Sequence, residues 1–181
     1  MSGIIGVSPD MRSGSVGKYH SEHILQINSV QKDDAFQHTS TSWTAVTGLS
    51  VAITPLSLGS KIMVFANILL GSHNAFGTFS AVRMTVDQDG GGYSHFNVGE
   101  QRGSNRQRAI GWNQAHHANE VNMVGTNFLW GPSTATTITF RAETIAQSGG
   151  YYAFVNRSGS DPDAQYEGQG SSNITVMEIE A

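Results

Sequence analysis

Apolar residues recur along this chain with a period of two, in short runs broken by turn residues, and that rhythm predicts strands rather than helices. His23–Lys32 (HILQINSVQK) places Leu25, Ile27 and Val30 among polar neighbours. Trp43 and Ala45, then Val46, Leu49, Val51 and Ile53, give a second extended stretch, kinked near Gly48 and ended by Pro55. Ser60–Leu70 (SKIMVFANILL) is short and nearly continuous in apolar residues, which predicts a strand buried on both faces. Phe79–Val86 alternates, with Phe79, Ala81, Arg83 and Thr85 opposing Ser80, Val82, Met84 and Val86. Asp87–Gly92 follows, and its Asp-Gly step is a hairpin cue. Further strands are expected at Tyr93–Val98, Arg106–Asn113, Asn122–Trp130, Thr136–Ile145, Tyr151–Val155 and Asn173–Ile179.

About ten short strands at turn-punctuated spacing predict an all-β chain folded as an antiparallel sandwich or jelly roll. Asn113–Val121 offers the one helical turn and reads better as a loop. No internal repeat stands out, which sets propellers and solenoids aside. Phe128 and Trp130 flank Leu129, so this strand is apolar on both faces, where an isolated sandwich keeps one face polar. Such a face points to a subunit interface, and oligomer closure would bury it together with exposed strand edges.

The first nineteen residues differ. Gly and Ser recur, Pro9 breaks any helix, and Ile4, Ile5, Val7, Met11 and Val16 show no sustained period. We read residues 1–19 as an arm and residues 20–181 as the β domain. In the arm, Ile4, Ile5, Val7, Pro9, Met11 and Arg12 are the candidate anchoring residues: the apolar ones bury in a partner and Arg12 pairs with its carboxylates.

Composition narrows the function classes. Charged residues make up 13% of the 181, hydrophobic residues 38%, and Gly is abundant at 21, a profile of turn-rich β structure. The net charge of −4 leaves no basic footprint for nucleic acid. The local cluster Arg102, Arg106 and Arg108 has no aromatic platform and suits a carboxylate better than a phosphate track. Cysteine is absent, which removes disulfides, thiol catalysis and cysteine-ligated zinc. The N-terminal segment lacks the apolar core of a secretory signal, and the longest apolar run, Ile62–Leu70, is too short to span a bilayer.

Candidate chemistry is sparse. His116, His117 and Glu120 could nearly share one helical face as the start of a metal site, but no second ligand pair follows, and a polar loop or interface pair is the favoured reading. Tyr19, His20, Glu22 and His23 read as a hydrogen-bonded hinge. Asp161, Asp163, Gln165 and Glu167 alternate as calcium ligands can, yet miss the EF-hand pattern, and a solvated acidic loop is favoured. No G-x-S-x-G, P-loop or dinucleotide fingerprint occurs. A carboxylate pair drawn from Glu100, Glu120, Glu143 and several Asp is no more than any acidic chain offers. The sequons at Asn156 and Asn173 are too short to carry weight. We therefore expect no enzyme activity, no cofactor and no metal. Trp112, Tyr151, Tyr152 and Tyr166 are the aromatic candidates for a lectin-like reading, although packing at strand ends or a trimer axis is favoured.

Four segments, in order along nearly the whole chain, resemble tailed-bacteriophage virion surface proteins. They are Gly6–Gly14, Ile53–Val64, Pro132–Thr137, and the C-terminal run from Ala153–Ser158 through Ser172–Ile179. Leu58 and Gly59 stand where that group has Ser, and Trp130-Gly131 where it has a small polar pair, departures that bear on binding specificity more than on fold. The resemblance implies a homotrimeric jelly roll of the tumour-necrosis-factor or C1q type, anchored through its arm and located in the virion after assembly in the host cytoplasm. It implies a tail-fibre or spike component that contacts a host surface glycan or protein. Capsid decoration protein and carbohydrate-binding module are the alternatives. Partners would be the chain itself and other virion proteins of tail, baseplate or major capsid, with no nucleic acid and no membrane insertion. The group supplies no catalytic residues.

Overall fold

Side-chain alternation along the long strands sorts them into two packed antiparallel sheets. The computed structural model describes residues 11–12, 15–16, 23–73, 76–100, 108–117, 119–133, 135–159 and 168–180. Two short strands, β1 (Met11–Arg12) and β2 (Ser15–Val16), pair with each other. The remaining strands are β3 (Ile24–Lys32), β4 (Phe36–His38), β5 (Thr44–Ile53), β6 (Lys61–Ser72), β7 (Phe79–Gln88) and β8 (Ser94–Phe96). They continue as β9 (Gly111–Gln114), β10 (Val121–Trp130), β11 (Ile138–Ala146), β12 (Ala153–Val155) and β13 (Ser172–Ile179).

The first sheet is organised on β6. One edge of β6 pairs with β10, and the other pairs with β13 and then β12. β3 lies outside β13, and β4 outside β12. The second sheet runs β5-β11-β7-β8, with β9 beside β7. The principal strands therefore lie in the order β3-β13-β6-β10 on one side and β5-β11-β7-β8 on the other. Numbered one to eight along the chain, that is 1-8-3-6 against 2-7-4-5, the two interlocked Greek keys of a jelly roll. The expected all-β antiparallel jelly roll is what the chain forms.

The core lies between the sheets. Ile62, Val64, Ala66, Ile68 and Leu70 of β6 face Val82, Met84 and Val86 of β7, with Ile138, Phe140 and Ala142 of β11. Leu49, Val51 and Ile53 of β5 and Ile174 and Val176 of β13 complete it. Phe96, Phe128, Trp130 and Phe140 form an aromatic cluster that bridges the two sheets, with the Phe96 and Phe128 centroids 4.2 Å apart. Burial of this apolar surface is the main force holding the sheets together.

Several expectations need correction. Ser60–Leu70 is not buried on both faces: β6 alternates, with Lys61, Met63, Phe65, Asn67 and Leu69 turned outward and Phe65 exposed. The run is continuous because the outer face is itself apolar. Phe36–His38, unforeseen, is a strand, made by pairing with β12. The strand expected over Arg106–Asn113 begins only at Gly111, with 101–107 outside the described residues. The Gly48 kink is present: Gly48 has φ +81°, and the pairing of β11 with β5 shifts register between Arg141 and Glu143. The Asp-Gly hairpin joins β7 to β8, with Asp89 at φ +70°.

Two polar contacts close the structure. Asn156, buried and at φ +67°, donates from Nδ2 to the Lys32 and Asp34 carbonyls and accepts from Ser172 Oγ at 2.5 Å. At the far end, Glu180 N donates to the His23 carbonyl at 2.8 Å, which puts the start of β3 beside the end of β13. Gly71, where β12 crosses onto β6, allows the close approach: a Cβ there would sit 2.2 Å from the Arg157 carbonyl oxygen. Gly71→Ala is expected to cost about 1–3 kcal/mol by overpacking, read as a lowered midpoint in urea unfolding at unchanged m.

Candidate functional site

The most distinctive surface is the outer face of the β3-β13-β6-β10 sheet. Strand register lines up Ile27, Met177, Met63 and Leu129 side by side across all four strands. Ile27 is 53% exposed and Leu129 49%. One step toward the chain ends, Ile24 and Ile179 pair beside Lys61, and Ile24 is 55% exposed. One step the other way, Phe65 lies between Thr175 and Asn127. Beyond it is a polar row of Gln31, Asn173, Asn67 and Gly125, where Asn67 Nδ2 reaches Asn173 Oδ1 at 3.4 Å. Met123, 50% exposed, pairs with Leu69 past that row. Among the described residues of these four strands Lys61 is the one charged side chain on this face.

An exposed apolar band without charge on a sandwich's outer side marks an interaction surface. Leu129 was anticipated from the sequence; Ile24, Met63 and Met177 were not. For Met63 and Met177 the signal was a parity opposite to that of the core positions, whereas Ile24 shares the parity of inward-packed Val30 and reaches this face only through the register shift opposite Glu178 and Ile179.

At one end of this face, residues 54–60 form a pinned loop. Glu178 is fully buried. It accepts from the amides of Leu56 at 2.8 Å and Ser57 at 3.2 Å and from Gln26 Nε2 at 2.6 Å. Burial by itself would raise the Glu178 pKa, but these hydrogen bonds outweigh it and hold the carboxyl below the usual carboxylate value. The result is a rigid loop that presents Leu56 and Leu58 to solvent.

The remaining sequence candidates fall as follows. Ile4, Ile5, Val7 and Pro9 lie outside the described residues, as do Tyr19, His20, Glu22, Arg102, Arg106, Tyr166 and the acidic run Asp161–Glu167. Met11 and Arg12 form β1. His116 and Glu120 do meet: the His116 amide donates to Glu120 Oε2 at 2.5 Å, and this bond holds the Glu120 carboxyl below its ordinary pKa. Among the described residues no group of three or more His, Asp or Glu is placed to hold a metal ion. Tyr152 stacks between His73 and Phe154, with centroids 5.8 and 5.5 Å away, and keeps part of its surface exposed. Trp112 stands out from the second sheet, 65% exposed. The Asn156 sequon is buried.

No protein-family model matches the chain, and no curated protein matches it. Among solved structures, the infectious bursal disease virus Gx strain structure aligns at TM-score 0.45 and 11% identity, over 93% of this chain and 42% of that one. T=1 particles derived from infectious bursal virus align at TM-score 0.44 and 12% identity, over 98% and 40%. The VP2 subviral particle of infectious bursal disease virus gives TM-score 0.37 and 12% identity, over 98% and 42%. The chain thus spans less than half the length of these structures. Identities this low and TM-scores below 0.5 leave function to be read from the chain's own residues.

The pinned loop makes a pH prediction. Because the folded pKa of Glu178 is depressed, its stabilisation is fully present above the unfolded value near ~4.3 and is lost as pH falls through the folded value. Glu178→Gln should therefore destabilise the protein at neutral pH and narrow its gap to wild type in acid, measured by thermal unfolding across that range.

Proposed function

We propose that the chain is a non-enzymatic structural protein of a phage particle. In this reading it is a homotrimeric knob of residues 20–181, joined to the particle through the arm 1–19, and serves as a tail-fibre or spike component facing the host. The observation that carries the reading is the apolar row Ile27, Met177, Met63 and Leu129. Exposed on a lone subunit, it is the kind of surface that closed symmetric assembly buries. The resemblance of Gly6–Gly14 and the C-terminal run to phage virion proteins supplies the threefold arrangement and the setting. In the arm, Ile4, Ile5, Val7 and Met11 bury in the particle partner, with Pro9 among the anchoring residues, and Arg12 pairs with a carboxylate.

Light scattering on the purified chain should give three times the subunit mass, and Met63→Lys, which places three charges in the buried seam, should give folded monomers by the same measurement and by circular dichroism. A monomeric wild type, or a trimer that tolerates the lysine, overturns the reading. Deleting residues 1–17 should leave the trimer intact and abolish its incorporation into particles, counted on a quantified gel.

A further inference from the structure

The outer face of the second sheet carries a different surface. β11 and β7 bring Glu143 opposite Arg83, and Arg141 opposite Thr85. The Glu143 carboxylate, with its side chain 5% exposed, accepts from Arg83 Nε at 2.8 Å on one oxygen and from Arg141 Nη2 at 2.5 Å on the other. Trp43 covers the Arg83 guanidinium at 4.5 Å from ring centroid, and Tyr93 covers that of Arg141 at 3.3 Å. Both guanidiniums are thus fixed in plane and orientation. Each spends its Nε and Nη2 on Glu143, which leaves both Nη1 groups without a partner among the described residues.

Two arginines against one carboxylate leave the cluster net positive. His95, across from Thr85, registers this: burial lowers its pKa first, and the charges of Arg108 and Arg83 lower it further. Between Arg141 and His95 in register, the Thr85 hydroxyl is wholly buried and has no hydrogen-bond partner. An orphaned buried polar group of this kind is costly. On the same face Trp112 pairs with Ala81, two residues along β7 from Arg83. That is a diagonal neighbour position, roughly 7–8 Å between Cα atoms. No ring stacks on Trp112 among the described residues.

We propose that this face binds an acidic carbohydrate, with the apolar face of a pyranose on the Trp112 indole and the carboxylate of a uronic-type sugar on the free Nη1 edge of Arg83, Arg141 adding positive charge alongside. An exposed flat ring beside preorganised guanidiniums matches the apolar face and adjacent carboxylate that a uronic-type sugar carries on one ring. The site gives the host-facing reading a chemical target and rests on that reading for its biological setting alone. Binding to the purified chain is measured whatever its oligomeric state, so failure here leaves the trimer measurement untouched.

Calorimetric titration of the full chain with tetragalacturonate tests it, alongside the fully methyl-esterified tetramer and polyglutamate of matched charge. Saturable binding of tetragalacturonate is expected, with affinity lower by about tenfold for the ester and for Trp112→Ala, and within about threefold of wild type for Trp112→Phe. Thermal melts of both variants establish that they fold. Absence of saturable binding, binding unchanged in Trp112→Ala, or equal affinity for polyglutamate overturns the proposal, the last pointing to an acidic protein segment.

Discussion

Every residue of Lys61–Ser72 answers to two demands at once, and the fold follows from how they are met. β6 is hydrogen-bonded along both edges, to β10 on one side and to β13 and β12 on the other, so no residue in it can shift register without breaking two ladders. Ile62, Val64, Ile68 and Leu70 then fill the core completely. Their neighbours Met63, Phe65 and Leu69 are committed to the outer face by pleat alone. The same strand therefore determines both the interior of the sandwich and the surface through which copies of it are proposed to meet.

Much of this was legible from hydrophobic period. The core positions of β5, β7, β11 and β13 follow from alternation, and the hairpin at Asp89 from its turn chemistry. The misreading of Ser60–Leu70 has a definite cause: a run apolar at every position looks the same whether the outer residues are covered by the chain itself or left open. Phe36–His38 is three residues long, too short to show a period, and exists as a strand because β12 is there to pair with it. The candidate sites were less visible. Glu143 lies sixty residues from Arg83, and only the register of β11 on β7 makes them neighbours. Trp112 was noticed as an aromatic, but nothing in its local sequence tells that it shares a face with two arginines.

The polar groups that matter most in this molecule are buried and local in effect. Asn156, in a sequon that carried no weight in the sequence, ties the end of β3 to the start of β13 through side-chain bonds made from a left-handed backbone position. Glu178 does the work of a turn, replacing with one carboxylate the hydrogen bonds that loop 54–60 does not make within itself. Glu143 lies on the outer side of its sheet, where it holds two long flexible cations against one carboxylate. Each spends desolvation to fix geometry, the trade expected where shape has to be held for a partner.

The bond from Glu180 to His23 gives the knob a direction. The start of β3 and the end of β13 share one pole, together with the Leu56–Leu58 loop, while the end of β6 and the starts of β7 and β13 lie at the other. A reporter or affinity handle fused after residue 180 would sit beside the start of β3, whereas one inserted at the opposite pole would stand a strand's length away from it. A circular permutant that links Glu180 to His23 and opens the chain at that far pole would move the point of chain entry from one pole of the sandwich to the other.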